Sequence, residues 1–576
     1  MMKKWLILVP CMVLTTICRA QSFNTPFEVS NGTQSATYVQ LIDYYERLDA
    51  TYESIRMKDV GETDTYYPLQ VVYYSKGGRF SVADWKREGK IILLINNGIH
   101  PGEPDGIDAS MMLLRDAAIG KIKVPDNIVL AVIPVFNIGG MLNRGSYSRA
   151  SQNGPVEYGF RGNAQNLDLN RDFIKMDAKE TRSLVRLFHK LSPDVLIDNH
   201  VSNGADYQHI VTLLSTQHNK LGGAMDNYLN NYFEPLIYKD MAAKGYDLVP
   251  YVNHWGDTPD KGWTAFHEGP RFASGFAAMH HTYAFVTETH MLKPFDKRVY
   301  GTYELMKTII QVAAANAADI QQSRRADLQA DALATQLPVE WTCDTNKQTK
   351  IIYKGYEAGY KPSEVSGQPR LYYDRSKLYT KEVLLYNDYK AKQAVTVPQA
   401  YMLSGAWAKV ISRLRDNNVE MTSVDKDTTI YAGVYYIESY ETTPRPYEGH
   451  YLHTKVKTRK EKRYIKLFKG DYIIPTNQAA KRFITEVLEP TAPDAYFAWG
   501  FFDAMLQQKE GYSDYVFEDE AAKILSKDAA LRKKLEEKKA SDAKFAADGE
   551  AQLDFVYKHS PYYEPVHMRY PVFRLE

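Results

Sequence analysis

His100 and Glu103 stand three residues apart in a Pro/Gly-rich bend that follows the apolar run at residues 91–95. An imidazole and a carboxylate at that spacing can face one point. A zinc ion accepts both, provided a third ligand comes from elsewhere and one position stays open for water. The same pair also fits a polar helix start, with Glu103 complementing the helix dipole. A second polar stretch, residues 161–172, packs Asp168, Asn170, Arg171 and Asp172 together, which is costly unless they are paired. An Asn–Arg pair offers amide donors and a guanidinium fork, the geometry that grips a carboxylate, although a turn capping the next helix is the plainer reading. His200, in Asp198-Asn-His200, is a candidate third ligand for which His209 competes. Glu288 ends the apolar run of residues 283–287. Buried beside a cation, it becomes a salt-bridge partner or a general base.

These four clusters need a scaffold that brings them to one edge. Residues 91–95 and 128–135 are short continuous apolar runs, suited to strands buried on both faces. Residues 195–197, 210–214 and 283–287 give further strands, and residues 71–74 and 79–82 flank a Ser-Lys-Gly-Gly turn. Helices are expected over residues 36–57, 105–118, 177–191 (capped by Asp177), 219–244 and 300–328. Strands alternating with helices over residues 21–330 predict an α/β domain with a mixed, mostly parallel sheet flanked by helices. In such a sheet, ligands sit off the carboxyl ends of the strands. Beyond residue 330 the texture shifts to Tyr-rich β-branched runs mixed with helices, which predicts an α+β accessory region over 331–576. The charged stretch 520–548 reads as a solvated helical face. The basic run 455–466 reads as a solvated hairpin, and His280 and His281 as structural.

A chain of 576 residues exceeds one ordinary core. The formal net charge of +1 gives no reason to expect nucleic acid as a partner. Residues 1–20 have a basic start, an apolar core and a small-x-small end before Gln21. This reads as a secretory signal peptide cleaved after Ala20, with a lipoprotein cleaved at Cys18 as the rival. No other window is apolar enough for stable membrane insertion, so an exported, periplasmic or extracellular protein is expected. With Cys11 and Cys18 removed, Cys343 is alone. Any metal must then be held by His and carboxylates.

The order His100-x-x-Glu103, Asp168-Leu-Asn170-Arg171, His200 and Glu288 resembles the zinc carboxypeptidase family of the carboxypeptidase A type over residues 70–300, with Asp-Leu-Asn-Arg as the most specific piece. The resemblance implies that family's fold and one Zn2+ per chain on His100, Glu103 and His200. It also implies a substrate-carboxylate grip at Asn170 and Arg171 and a general base at Glu288. Asp168 would be hydrogen-bonded to the first zinc histidine. Arg161 would polarise the scissile carbonyl, with Arg144 and Arg149 near enough to compete. The family's mobile tyrosine has no clean match in residues 271–276.

A metallopeptidase acting on peptides with a free carboxylate, most simply a carboxypeptidase, is the expected function. Cell-wall peptide endopeptidases are alternatives, as are deacylases of the succinylglutamate desuccinylase and aspartoacylase type on the same scaffold. A binding protein that has lost catalysis is a further one, but a dead site would be free to lose the ligands and Glu288 that are present here.

Overall fold

The computed structural model describes residues 23–576. The signal-peptide expectation, with Cys11 and Cys18, lies outside the described residues. In chain order the first strands are β1 (Ile55–Gly61), β2 (Leu69–Tyr74), β3 (Ile91–Asn97), β4 (Ile128–Ile133), β5 (Val195–Ser202), β6 (Val211–Ser215), β7 (Val249–Pro250), β8 (Trp263–Thr264) and β9 (Tyr283–His290). All but β8 form one eight-stranded sheet in the order β1-β2-β4-β3-β5-β9-β6-β7. At its centre β4, β3, β5 and β9 run parallel, while β1, β2 and β6 join antiparallel. The α/β class with a mixed sheet flanked by helices is as expected.

The central strands are apolar on both faces because both faces are covered. Successive strand residues point to opposite sides. Ile91, Leu93 and Ile95 therefore enter one core with Met111 and Leu114 of the helix Asp105–Ala118 and Leu305 and Ile309 of the helix Phe295–Ala315. Ile92 and Leu94 enter the other, with Leu184 and Phe188 of the helix Lys179–Leu191. The bend after β3 needs its glycines. Gly98 has φ +62°, and a Cβ there would lie 2.9 Å from Val135 Cγ2. A Cβ on Gly106 would lie 2.3 Å from Asn199 Cβ, so its absence lets the helix start press against β5.

The remaining strands are β10 (Gln336–Cys343), β11 (Thr349–Pro362), β12 (Pro369–Tyr386), β13 (Tyr389–Thr396), β14 (Ala400–Leu403), β15 (Thr422–Ser423), β16 (Thr428–Thr442), β17 (His453–Leu467), β18 (Tyr472–Pro475) and β19 (Val572–Leu575). The long β11–β12 hairpin takes β8 as a third strand, and β14 to β19 form a six-stranded sheet. Tyr401, Phe483, Trp499 and Tyr570 from this region belong to the same core as Ile92, Leu94 and Phe188. One face of the central sheet is thus covered partly by residues from beyond position 400. The stretch around 520–548 keeps its charges outward yet gathers Phe517, Leu531, Leu535 and Phe545 into a small core of its own.

Several expected elements differ. The opening helix is Tyr38–Thr51, and residues 55–57 leave it to pair in β1, Met57 opposite Val72. Residues 79–82 form no strand, because Ser81 caps the helix Val82–Arg87 by accepting from the Asp84 amide. Asp177 does not cap the helix Lys179–Leu191, its carboxylate being engaged by Lys175, Arg413 and His450. The span 219–244 is interrupted at Gly222, φ +74°, and then runs on as one helical stretch with a π-helical turn over Leu229–Phe233 just before Pro235. The span 300–328 is two helices, parted at Asn316.

The bend is anchored from behind by a buried ion pair. Asp105, in the first turn after Glu103, lies with Oδ2 3.2 Å from Arg298 Nε, both side chains at most 1% exposed. It also accepts from Thr289 Oγ1 at 2.5 Å. Replacing Arg298 by Met leaves the Asp105 carboxyl buried without its cation. The expected loss is about 3–5 kcal/mol of stability, read from the urea midpoint of the full chain; a change below about 1 kcal/mol would contradict it.

Candidate metal centre and cleft

Two strands, the bend after β3 and the stretch 161–171 deliver the polar residues to a cleft of about 390 Å³. His100 and Glu103 come from the bend after β3, and His200 from β5. Glu288, on β9, is the register partner of His200. Neighbours in register on parallel strands face the same side, so the imidazole and the carboxylate meet the same space. Neither His200 nor Glu288 lies past a strand end; both are inside paired strands. Arg161, Asn170 and Arg171 also line the cleft.

The ligand atoms of His100, Glu103 and His200 all lie within 4.8 Å of one another, and all three residues are buried. Glu103 sits between the imidazoles. Its Oε1 is 3.4 Å from His100 Nδ1 and its Oε2 3.2 Å from His200 Nδ1. Ligands at about 2.0–2.2 Å from a tetrahedral ion stand roughly 3.3–3.6 Å apart, so these spacings fit one shared divalent metal. His100 Nδ1 is buried and has no hydrogen-bond partner among the described residues. Such an orphaned nitrogen is what a ligand position requires.

Each imidazole is fixed from behind. His100 Nε2 lies 2.8 Å from Asp168 Oδ1, and His200 Nε2 lies 2.9 Å from Asp198 Oδ2. A carboxylate on the far ring nitrogen sets the tautomer and leaves Nδ1 for a cation. Burial alone would lower the pKa of His200, but Asp198 beside it outweighs that and holds it well above the ordinary value. Burial would likewise raise Asp168, and His100 and Arg161 hold it far below the carboxylate range instead. Glu103 follows the same logic, kept low against its burial by Arg149 and His100. Glu288 is the exception. Burial pushes it up to about 8, with Glu103 and Glu268 adding to the rise while His200 and Arg149 oppose it. A divalent ion on the three ligands would draw it back down.

The arginines divide. Arg144 is turned away, donating to the Ser35 and Ala36 carbonyls. Arg149 Nη1 reaches Glu103 Oε1 at 2.8 Å, and Arg161 Nη1 reaches the same oxygen at 3.3 Å. Arg161 Nε also bonds Asp168 Oδ2 at 3.0 Å. Asn170 Oδ1 accepts from the Ala273 amide at 3.1 Å, which directs its amide group. Arg171 lies with its guanidinium carbon 4.2 Å from the Phe272 ring centroid and gives Nε to Tyr447 Oη at 3.0 Å. His209 is elsewhere, bonded to the Asp247 carbonyl and the Lys354 amide. His281 pairs with Asp331, and His280 packs on Phe276 and His189.

Asp198, within the stretch Asp198-Asn-His200 read from the sequence, had no role assigned there, and Glu268 was not singled out. Asp198 was visible as the residue two before His200, on the same strand face. Glu268, a cleft carboxylate bonded by Ser274 Oγ at 2.5 Å, carried no local signal. Tyr251, Trp255, Phe266 and Phe272 are among the apolar and aromatic residues of the walls. Replacing Asp198 by Ala frees the His200 ring. Divalent-metal affinity is then expected to fall about 10–100-fold in a competitive chelator titration; an unchanged affinity would show that Asp198 does not orient His200.

No family model matches the chain. It is similar to Carboxypeptidase 2 of Trichophyton equinum, 22% identical over 527 residues that cover 84% of this chain and 88% of that protein. Carboxypeptidase 2 of Trichophyton rubrum gives 22% over 525 residues with the same coverage, 84% and 88%. Among solved structures, carboxypeptidase A of Helicoverpa armigera aligns at 14% identity and a TM-score of 0.38, over 50% of this chain and 75% of that one. The resemblance drawn from His100, Glu103, Asp168 to Arg171 and His200 agrees with the name carboxypeptidase that both Trichophyton relatives carry, at low identity.

Proposed function

We propose that this protein is an exported zinc metallopeptidase acting as a carboxypeptidase, removing residues from the free C-terminus of peptides. Residues 21–330 would form the catalytic unit and residues 331–576 the accessory region. The observation that carries this reading is the convergence of His100, Glu103 and His200 with Asn170, Arg171 and Glu288 on one cleft. The name carboxypeptidase borne by the Trichophyton relatives supports a peptidase over a deacylase. No helix among the described residues is long and apolar enough to cross a membrane.

His100 Nδ1, His200 Nδ1 and the Glu103 carboxylate would hold the zinc. When bound, zinc supplies Lewis acidity, lowering the pKa of a coordinated water and polarising a carbonyl. Asn170 and Arg171 bind the terminal carboxylate, Asn170 through its amide nitrogen and Arg171 through the Nη2 edge, which donates to no group among the described residues. Glu288 takes the proton of the attacking water and returns it to the leaving amine. Arg161 donates to the developing oxyanion. It is chosen over Arg149 because its side chain is 48% exposed against 17%, and so is freer to turn from Glu103 to a substrate.

Glu288→Gln keeps the shape and removes the base. Turnover is expected to fall by about 10²–10⁴-fold while bound metal stays at the wild-type level. Mass spectrometry of a mixed peptide library, with and without chelator, tests the mode of attack. Chelator-sensitive, stepwise loss of C-terminal residues is expected; internal cuts would make the protein an endopeptidase instead.

A further inference from the structure

The hairpin β16–β17 ends in a tight turn, Tyr447-Glu448-Gly449-His450, whose end residues exchange backbone hydrogen bonds at 2.7 and 3.0 Å. Glu448 and Gly449 have φ of +51° and +81°. Two central residues with positive φ give the rigid type I′ geometry, for which glycine at the second position is suited. This turn sits some 280 residues along the chain from the Asp-Leu-Asn-Arg stretch, and three of its four residues touch that stretch or its continuation. Tyr447 Oη accepts from Arg171 Nε at 3.0 Å. The Glu448 carboxylate accepts from the Asp168 amide at 2.7 Å. His450 Nε2 lies 2.6 Å from Asp177 Oδ2. The ring of Tyr447 is held by Trp499, 6.2 Å away at 26°. Neither Tyr447 nor Glu448 lines the cleft, so the turn reaches the site only through Arg171 and Asp168.

We propose that Tyr447 is a positioning residue for Arg171, and that the accessory region thereby sets the affinity of the site for a substrate carboxylate. This rests on Arg171 being the carboxylate grip. A guanidinium on a flexible stem must be held in one plane before it can present a fork to an anion. Here Phe272 covers one face, the Asn170 carbonyl accepts from Nη1 at 2.8 Å, and Tyr447 accepts from Nε. The Nη2 edge, which faces none of these partners, is left for the ligand. Removing the Tyr447 hydroxyl lets the plane rotate without touching the metal ligands or Glu288.

The test uses the full chain and an N-blocked dipeptide with a free C-terminal carboxylate. Tyr447→Phe keeps the ring against Trp499 and loses only the acceptor. KM is expected to rise about tenfold, the weight of one charge-assisted hydrogen bond, with kcat within about twofold. Arg171→Lys is measured alone and combined with Tyr447→Phe. Lysine has no Nε–H to give, so Tyr447→Phe in that background is expected to change KM by less than about twofold. If Tyr447→Phe raises KM by the same factor in both backgrounds, or in neither, the proposal is overturned. If Arg171→Lys itself leaves KM unchanged, Arg171 is not the carboxylate grip, and both the proposed function and this inference fall. Should Tyr447→Phe unfold, Gly449→Ala, which strains the turn carrying Tyr447 at φ +81° and lies outside the cleft, is expected to give the same KM effect with the same dependence on Arg171, and its absence overturns the proposal.

Discussion

A carboxylate buried between two imidazoles is the constraint around which the rest is arranged. Glu103 is 4% exposed, and an ionised carboxylate removed from water is strongly disfavoured unless charge and hydrogen bonds replace the solvent. Here the Val201 amide, His200, Arg149 and Arg161 all converge on its two oxygens. Each histidine is in turn backed by an aspartate. Opposite charges alternate outward from the centre, and this alternation explains why the bend after β3 carries so many polar residues between apolar elements. It also accounts for the glycines: Gly98 lets the chain turn sharply, and Gly106 lets the following helix close on β5 without displacing Asn199.

The two halves of the chain are joined by chemistry as well as packing. One core runs from Leu94 in the central sheet through Phe188 to Trp499 and Tyr570. Along the same seam, Arg182 and Arg186 meet Asp416, Arg413 meets Asp177, and Arg271 meets Asp494. Arg271 lies one residue from Phe272, and Asp177 six from Arg171, so this seam runs close to the wall of the cleft that Arg171 and Phe272 line. Under the proposed function, a region that packs there can tune substrate binding without contributing any of the three residues that would hold the metal.

Much of this was legible in the amino-acid order, for local reasons. The helix Asp105–Ala118 announces itself by the 3.6-residue spacing of Ile107, Met111 and Leu114, and β3 and β4 by apolar runs too short for helices. His100 with Glu103, and Asn170 with Arg171, are neighbours in sequence, so their chemistry could be read before their surroundings. What depends on distance could not. Whether Arg149 or Arg161 reaches Glu103 is set by a loop with no periodicity, and both do. Asp177 has the spacing of a helix cap, but Lys175, Arg413 and His450 compete for it and win. The partnership of Tyr447 with Arg171 links residues 276 apart, and only the packed structure brings them together.

Whether His100, Glu103 and His200 share one divalent ion is decided by elemental analysis of the purified full chain. About one zinc per chain is expected in the wild type, with loss of that zinc in His100→Ala and in His200→Ala while both variants stay folded. Zinc retained at full stoichiometry after either histidine is removed, or peptide hydrolysis by a wild-type protein that binds no metal, would contradict it.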